Sequence, residues 1–372
     1  MKAGKDIQSL LNELHAQARA KKDYVVPTTL AHFTEQATLV VDGVNEEFEI
    51  KDHAHGQIAA RLSIPKNYYD RMRTEQPDLL AANVNRWFKV APEKRMLRTM
   101  VMDRPQPSFL RAFMSDSYRR LDNIDLARAI FPFMVKEYEK PLQIVSADVT
   151  EQKFYLKVIA PHTERDLTTI MKPGTHVRVN EPVRAGFIIQ NSEIGMGNIS
   201  AFPFVEMLRC TNGMTVEEYG HRKRHAGKRI GGESDGVTDL ESIYSDQTKM
   251  LDDAAFWSKT KDIVRACLAD EMVTGIYRKM AEARDIKIEA PPEKVVELAA
   301  STFGFDEAEQ AGILRTLIDS GLGLNQYGLV NAINQVAGDV ESYDRASQLE
   351  AVAGKVLTLD PSQWKVLTAV AK

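Results

Sequence analysis

The chain has 372 residues, of which 44% are hydrophobic and 27% charged, with a formal net charge of −4. This composition is typical of a folded protein, and the length predicts two or three domains. No apolar run approaches the roughly 20 residues that span a bilayer, and the first residues lack the apolar stretch of a secretory signal. Two cysteines, Cys210 and Cys267, are too few for a disulfide framework. We therefore expect a cytoplasmic protein with buried thiols.

The first quarter of the chain predicts helices around one hairpin. Ile7, Leu10 and Leu14 share a helical face, which predicts an N-terminal helix within residues 1–23. Asp42-Gly43 is a typical hairpin turn between apolar runs at residues 37–41 and 48–50. Helices are then expected at about residues 52–62, 66–73 and 77–88, the last two beginning at Pro65 and Pro77.

Beyond these helices the sequence predicts strands and then helices. β-branched and aromatic residues favour strands at residues 96–102, 142–149, 153–159, 183–190 and 199–209. A Gly/Ser/Asp-rich stretch, residues 231–238, is the best candidate linker. From residue 239 the pattern is helical, with a break at Pro291-Pro292. The predicted fold class is α+β: a mixed helix and antiparallel-sheet core at residues 24–230, then a mainly α-helical domain at residues 239–372.

Charge is distributed unevenly along the chain. Residues 61–120 carry 13 Lys and Arg against 6 Asp and Glu, whereas residues 230–320 carry 10 against 19. The segment from His221 to Arg229 holds five Lys and Arg in nine residues. A locally basic segment on a mildly acidic protein indicates a localised anionic partner, for which phosphate is the commonest candidate.

Cations and aromatic rings alternate in the basic part of the chain. Cations neutralise phosphates and flat rings stack on bases, and single-strand binding requires both. The candidate nucleic-acid contacts are Arg86, Trp87, Arg95, Arg98, Tyr118, Arg119, Arg120, Arg222, Lys223, Arg224, His225, Lys228 and Arg229. The alternative is ordinary core and surface structure, since Trp87 ends a helix with an apolar face.

The sequence carries no complete catalytic, metal or cofactor signature. His221 and His225 are four residues apart, but neighbouring cations would repel a metal, and His53 and His55 alternate too closely to share a helical face. Glycines at 186–197 match neither nucleotide-binding fingerprint. We therefore predict no cofactor and no metal.

Two short runs of the sequence, at residues 191–195 and 212–213, are rich in residue types that tolerate a left-handed backbone, which favours tight turns. A polar ligand site is the alternative for the same residues. They are Asn191, Ser192, Glu193, Gly195, Asn212 and Gly213.

The sequence resembles the phage/plasmid-like protein family in three runs: Asn191–Gly195, Leu208–Met214 and Arg222–Gly227. This family is a domain of unknown function carried by prophages and plasmids. Supporting similarity lies at residues 64–69, 77–85, 118–122 and 325–332, so the resemblance covers most of the chain. It implies a protein that handles or protects the nucleic acid of a mobile element, but no active site.

We thus predict a phage or plasmid protein that binds single-stranded DNA without sequence specificity, in replication or recombination, as single-strand annealing proteins do. One alternative is an enzyme acting on nucleotides or nucleic acid, with Glu193, Arg224 and His225 in a pocket. Another is an interaction protein that counters a host defence factor through its acidic helices. Homo-oligomer formation and a host protein partner stay open, and no membrane partner is expected.

Overall fold

The computed structural model describes residues 1–118, 120–167, 181–208, 212–219, 221–223 and 246–368, which form an α+β protein. Its first helix, α1, spans Ile7–Ala20. Asp6 begins this helix, because its side chain accepts a hydrogen bond from the backbone N–H of Ser9. The apolar residues Leu10 and Leu14 are buried, as their spacing predicted.

The first sheet has six strands in the order β1-β5-β6-β4-β3-β2. They are β1 (Lys21–Pro27), β2 (Ala31–Phe33), β3 (Leu39–Val41), β4 (Glu47–Ile50), β5 (Lys94–Met100) and β6 (Ser108–Ser115). All neighbours are antiparallel except β4 and β6. Three helices cover one face around a core that includes Phe48 and Leu110: α2 (Asp52–Arg61), α3 (Lys66–Glu75) and α4 (Pro77–Val90).

The second sheet follows helix α5 (Asn123–Pro132). Its antiparallel path runs β12-β11-β10-β8-β7, with β9 beside β10 and β13 beside β11. The strands are β7 (Gln143–Val149), β8 (Phe154–Ile159), β9 (Arg165–Asp166), β10 (Pro182–Asn191), β11 (Ile199–Met207), β12 (Asn212–Thr215) and β13 (His221–Lys223).

Helices cover both faces of the second sheet. They are α6 (Asp246–Cys267), α7 (Asp270–Glu282), α8 (Pro292–Phe303), α9 (Glu307–Asp319), α10 (Gln326–Asp339), α11 (Tyr343–Thr358) and α12 (Pro361–Thr368). On one face, α1, α5 and α6 enclose Phe187 and Ile189 of β10. The C-terminal helices share a core with Val183 and Val205 further along the same face. On the other face, Tyr343 of α11 packs against Ile188 and Phe202. No helix among the described residues combines the length and apolar content needed to cross a membrane.

The structure confirms the predicted N-terminal helix, the hairpin, the three following helices and the five strands, with ends shifted by a few residues. Gly43 has φ +82, as the hairpin turn requires. For residues 239–284 the sequence leaves either a helical hairpin or one extended helix, and the described part of this stretch contains two helices, α6 and α7. The domain boundaries stay a prediction, and the predicted linker at 231–238 lies outside the described residues.

The thiol of Cys267 is buried in the core, and burial raises its pKa to about 12. This confirms the prediction of a buried thiol for Cys267. Cys210 lies outside the described residues.

Candidate nucleic-acid interface

An open groove of about 350 Å³ lies between α5 and α6. This volume falls within the range of about 300–1,000 Å³ that is usual for small-molecule sites. The groove is lined by Arg120, Leu121, Asp125, Arg128, Ala129 and Trp257. It therefore joins two guanidinium groups to one large aromatic ring.

The two arginines of the groove are accessible to solvent. The side chains of Arg120 and Arg128 are 54% and 66% exposed. Asp125 is the acidic residue of the lining, and its Oδ1 lies 3.3 Å from Nη1 of Arg128. Burial raises the pKa of Asp125, and the nearby carboxylate of Asp122 adds to the effect. The lining therefore carries two positive charges and one negative charge, which favours an anionic ligand.

The aromatic wall of the groove is fixed by packing. Trp257 is partly buried, and its ring lies 4.8 Å from the ring of Phe256 in a T-shaped arrangement. Phe256 is buried with Leu121 and Ile199 in one small apolar cluster against which Trp257 packs. A ring held in this way can stack on a base at little cost in side-chain entropy.

The backbone of the basic segment begins beside this cluster. Strand β13 pairs with β11 so that Lys223 is opposite Ile199 and Arg222 is opposite Ser200. Because Ile199 belongs to the cluster against which Trp257 packs, the backbone of β13 lies next to a residue of that cluster. Arg224, His225, Lys228 and Arg229 lie outside the described residues, as does Arg119.

Three of the predicted contacts lie on the far side of the first sheet. The ring of Phe88, in α4, stacks on Phe113 of β6 at 5.7 Å, so α4 covers that face of the sheet. Arg86 and Trp87 are exposed on the outer side of α4. The guanidinium of Arg95 lies over the same Phe113 ring, 5.6 Å from its centre.

Arg98 occupies the opposite face of the first sheet and is completely buried. Its Nη2 lies 2.6 Å from Oδ1 of Asp122 and 3.2 Å from Oδ2 of Asp23, while Nη1 donates to the carbonyl of Glu193. Burial opposes the charge, but the carboxylates of Asp122 and Asp23 raise the pKa of Arg98. The prediction that Arg98 contacts nucleic acid is wrong, because the guanidinium is enclosed.

Tyr118 is held by its hydroxyl, which donates to the carbonyl of Ser192 at 3.1 Å, and burial raises its pKa. Those predicted residues that the structure describes therefore do not form one continuous surface. Arg120 lies on the face of the first sheet that carries Arg98, because both guanidinium groups are close to the carboxylate of Asp23. The first sheet therefore separates Arg120 from Arg86, Trp87 and Arg95. Among the described candidates outside the basic segment, Arg120 is the one that lines the groove.

The polar turn predicted after β10 is confirmed between Asn191 and the start of β11. Gly195 has φ +82, a left-handed conformation that disfavours residues with a side chain. The hydroxyl of Ser192 accepts hydrogen bonds from the N–H groups of Ile194 and Met196, which closes the turn. His53 Nε2 lies 2.7 Å from the Ile194 carbonyl, so α2 contacts this turn directly.

Glu193 of this turn is almost completely buried. Its Oε1 accepts hydrogen bonds from Lys21 Nζ at 2.9 Å and from the N–H of Asn123 at 2.8 Å. Its Oε2 accepts a hydrogen bond from Arg111 Nη1 at 2.8 Å. Since both oxygens are already bound, this carboxylate supports the turn interpretation of the motif. No cluster of His, Cys, Asp and Glu within the described ranges is suited to a metal.

We expect the ionised carboxylate of Glu193 to stabilise the fold at neutral pH and to lose this effect in acid. Burial alone would raise its pKa, but Arg111, Lys21 and Arg98 lower it from 4.5 to about 2. A lowered carboxyl pKa stabilises the fold above pH 4.5 by about 3 kcal/mol, and this contribution is lost as the pH falls towards 2. A carbon-13 NMR titration of the Glu193 carboxyl should therefore give a midpoint near 2. A midpoint at or above 4.5 would contradict the observed ion pairs.

The predicted turn at Asn212 and Gly213 is wrong, since both residues lie in strand β12. A Cβ at Gly213 would lie 2.2 Å from the ring of Phe204 on the neighbouring strand β11. The glycine is required there by close packing and not by a left-handed backbone.

Sequence reasoning missed Arg128 and Trp257. Arg128 lies in α5, which was not predicted, although Ile124, Ala127 and Ile130 have the spacing of a buried helical face. That spacing was the available signal. Trp257 lies within a predicted helical region, but nothing in the sequence distinguishes a groove tryptophan from a core one.

Comparison with known proteins found no match: no protein-family model, no curated protein and no solved structure matches the chain. The resemblance to the phage/plasmid-like family stays a prediction.

Proposed function

We propose that the protein binds single-stranded nucleic acid, with DNA favoured, in the groove between α5 and α6. The observation that carries this proposal is the combination of Arg120, Arg128 and Trp257 in one open site of about 350 Å³. Arginine neutralises phosphate and releases counterions, while an aromatic ring accepts any base, so the binding is independent of sequence. Such an activity would suit a cytoplasmic phage or plasmid protein that handles the strands of its own element.

The position of β13 supports this proposal. Residues 61–120 and 221–229 are the two basic stretches of the sequence, and the groove contains Arg120 from the first. The second begins in β13, beside Ile199 beneath the groove. A strand bound at Trp257 would then lie close to Arg120 of the first stretch, on the side of the cluster against which β13 pairs.

Trp257→Ala should weaken binding of a labelled single-stranded DNA oligonucleotide about tenfold, as expected for the loss of about 1.4 kcal/mol of base stacking. Fluorescence anisotropy gives the affinity. Trp87→Ala is the matched control, since Trp87 is 48% exposed but lies across the first sheet. Trp257→Phe keeps an aromatic face and should recover most of the affinity.

Two outcomes would contradict the proposal. One is an absence of binding by the wild-type protein at low salt. The other is an equal loss of affinity in Trp257→Ala and Trp87→Ala, since the site would then not be the groove.

A further inference from the structure

We infer that Asn191, the last residue of β10, and Glu193, in the turn that follows, are positioning residues that set the shape of the groove from beneath. This inference rests on the proposed function, because it concerns the same site. Neither side chain lines the groove. Both bind the short segment Leu121–Asn123, which joins Arg120 to α5 and therefore links the two arginines of the site.

Asn191 holds this segment by two hydrogen bonds. Its Nδ2 donates to the carbonyl of Leu121 at 2.9 Å and to Oδ1 of Asn123 at 2.8 Å. Asn191 is completely buried, so water cannot replace these donors without a change in packing. Leu121 itself lines the groove and packs in the cluster that supports Trp257. The amide of Asn191 therefore fixes the backbone beside Arg120 and, through Leu121, the neighbourhood of the aromatic wall.

Glu193 holds the next residue. Its Oε1 accepts a hydrogen bond from the N–H of Asn123, which is the first residue of α5. A carboxylate at a helix N-terminus satisfies an N–H that the helix leaves unpaired. Because Lys21 in β1 and Arg111 in β6 bind the same carboxylate, α5 is anchored to the first sheet. The position of Arg128, in the second turn of α5, follows from this anchor.

The charges of the network balance. Beneath the groove, three buried or mostly buried cations face three carboxylates within 3.2 Å. One of these carboxylates, Asp23, also has its Oδ2 3.8 Å from Nη1 of the groove residue Arg120. The cations are Lys21, Arg98 and Arg111, and the carboxylates are Asp23, Asp122 and Glu193. A neutral network adds no net attraction for a polyanion, so its effect on binding acts through geometry.

Asn191→Leu tests the inference, because leucine has a similar volume and no donor. We expect oligonucleotide affinity to fall about tenfold while the slope of log K against log salt stays unchanged, since preorganisation is lost and no phosphate contact is removed. Asn334→Leu is the matched control. Asn334 is another completely buried asparagine, on α10 in the C-terminal helical region, and its replacement should leave the affinity unchanged.

A ligand-free measurement separates this inference from the proposed function. In a Trp87→Phe/Trp364→Phe background, Trp257 is the remaining tryptophan, and Asn191→Leu should change its quenching by acrylamide. If the wild type binds no oligonucleotide but this quenching changes, the proposed function fails and the positioning role stands. If the wild type binds and folded Asn191→Leu binds equally well, the positioning role is overturned.

Should Asn191→Leu fail to fold, Asn123→Ala removes one of the two acceptors and keeps the backbone N–H that binds Glu193. It should lower the affinity in the same direction. An unchanged affinity in folded Asn123→Ala would also overturn the inference.

Discussion

Lys157→Met should lower the free energy of unfolding by about 3–5 kcal/mol, because it leaves an isolated charge in the core. Lys157 Nζ lies 2.6 Å from Oε2 of Glu350, and both side chains are completely buried. Lys157 belongs to β8 and Glu350 to α11, so the pair joins the second sheet to the C-terminal helices. The Nζ also lies 4.9 Å from the centre of the Tyr343 ring. Without the ammonium of Lys157, the carboxylate of Glu350 loses its ion-pair partner in the core.

The double variant Lys157→Met/Glu350→Leu separates the cost of the lone charge from the value of the pair. Replacing both partners of a buried pair by apolar residues is often neutral or stabilising. We therefore expect the double variant to recover most of the stability lost in the single one, as measured by urea unfolding. Lys294→Met, in an exposed pair with Glu297, is the control and should have little effect. A single Lys157→Met variant as stable as the wild type would contradict this account.

Local patterns were sufficient for most elements. The hairpin around Asp42-Gly43 and the helix that begins at Pro77 follow from signals within a few residues, and the structure contains both. Strand β6 was missed because Arg111 interrupts its apolar run. In the folded protein the side chain of Arg111 is mostly buried beside Glu193, and the local sequence does not show this long-range contact.

The candidate site was harder to predict because burial decides which cations are available. Arg98 and Arg120 have the same chemistry in the sequence, but one is enclosed by carboxylates while the other is 54% exposed. Likewise, Glu193 is surrounded by Lys21 and Arg111, which are far from it in sequence. The turn interpretation of its motif was predictable, whereas its contact with α5 depends on the packing of the two sheets.

Charge reversal in the groove between α5 and α6 is the second large effect that we expect, because we propose that this groove binds a polyanion. Arg120→Glu/Arg128→Glu changes the lining from two cations and one carboxylate to three carboxylates. We expect the affinity for single-stranded DNA at low salt to fall on the order of 100-fold, because two phosphate contacts become repulsions.

The control is Arg86→Glu/Lys89→Glu on the outer side of α4. It changes the net charge by the same amount, so any general electrostatic effect is matched between the two variants. The most direct measurement is therefore a salt titration of oligonucleotide affinity in the wild type and both variants. We expect the groove variant to lose its affinity and the α4 variant to keep both its affinity and its salt slope. Equal affinities in the two variants would contradict binding in the groove.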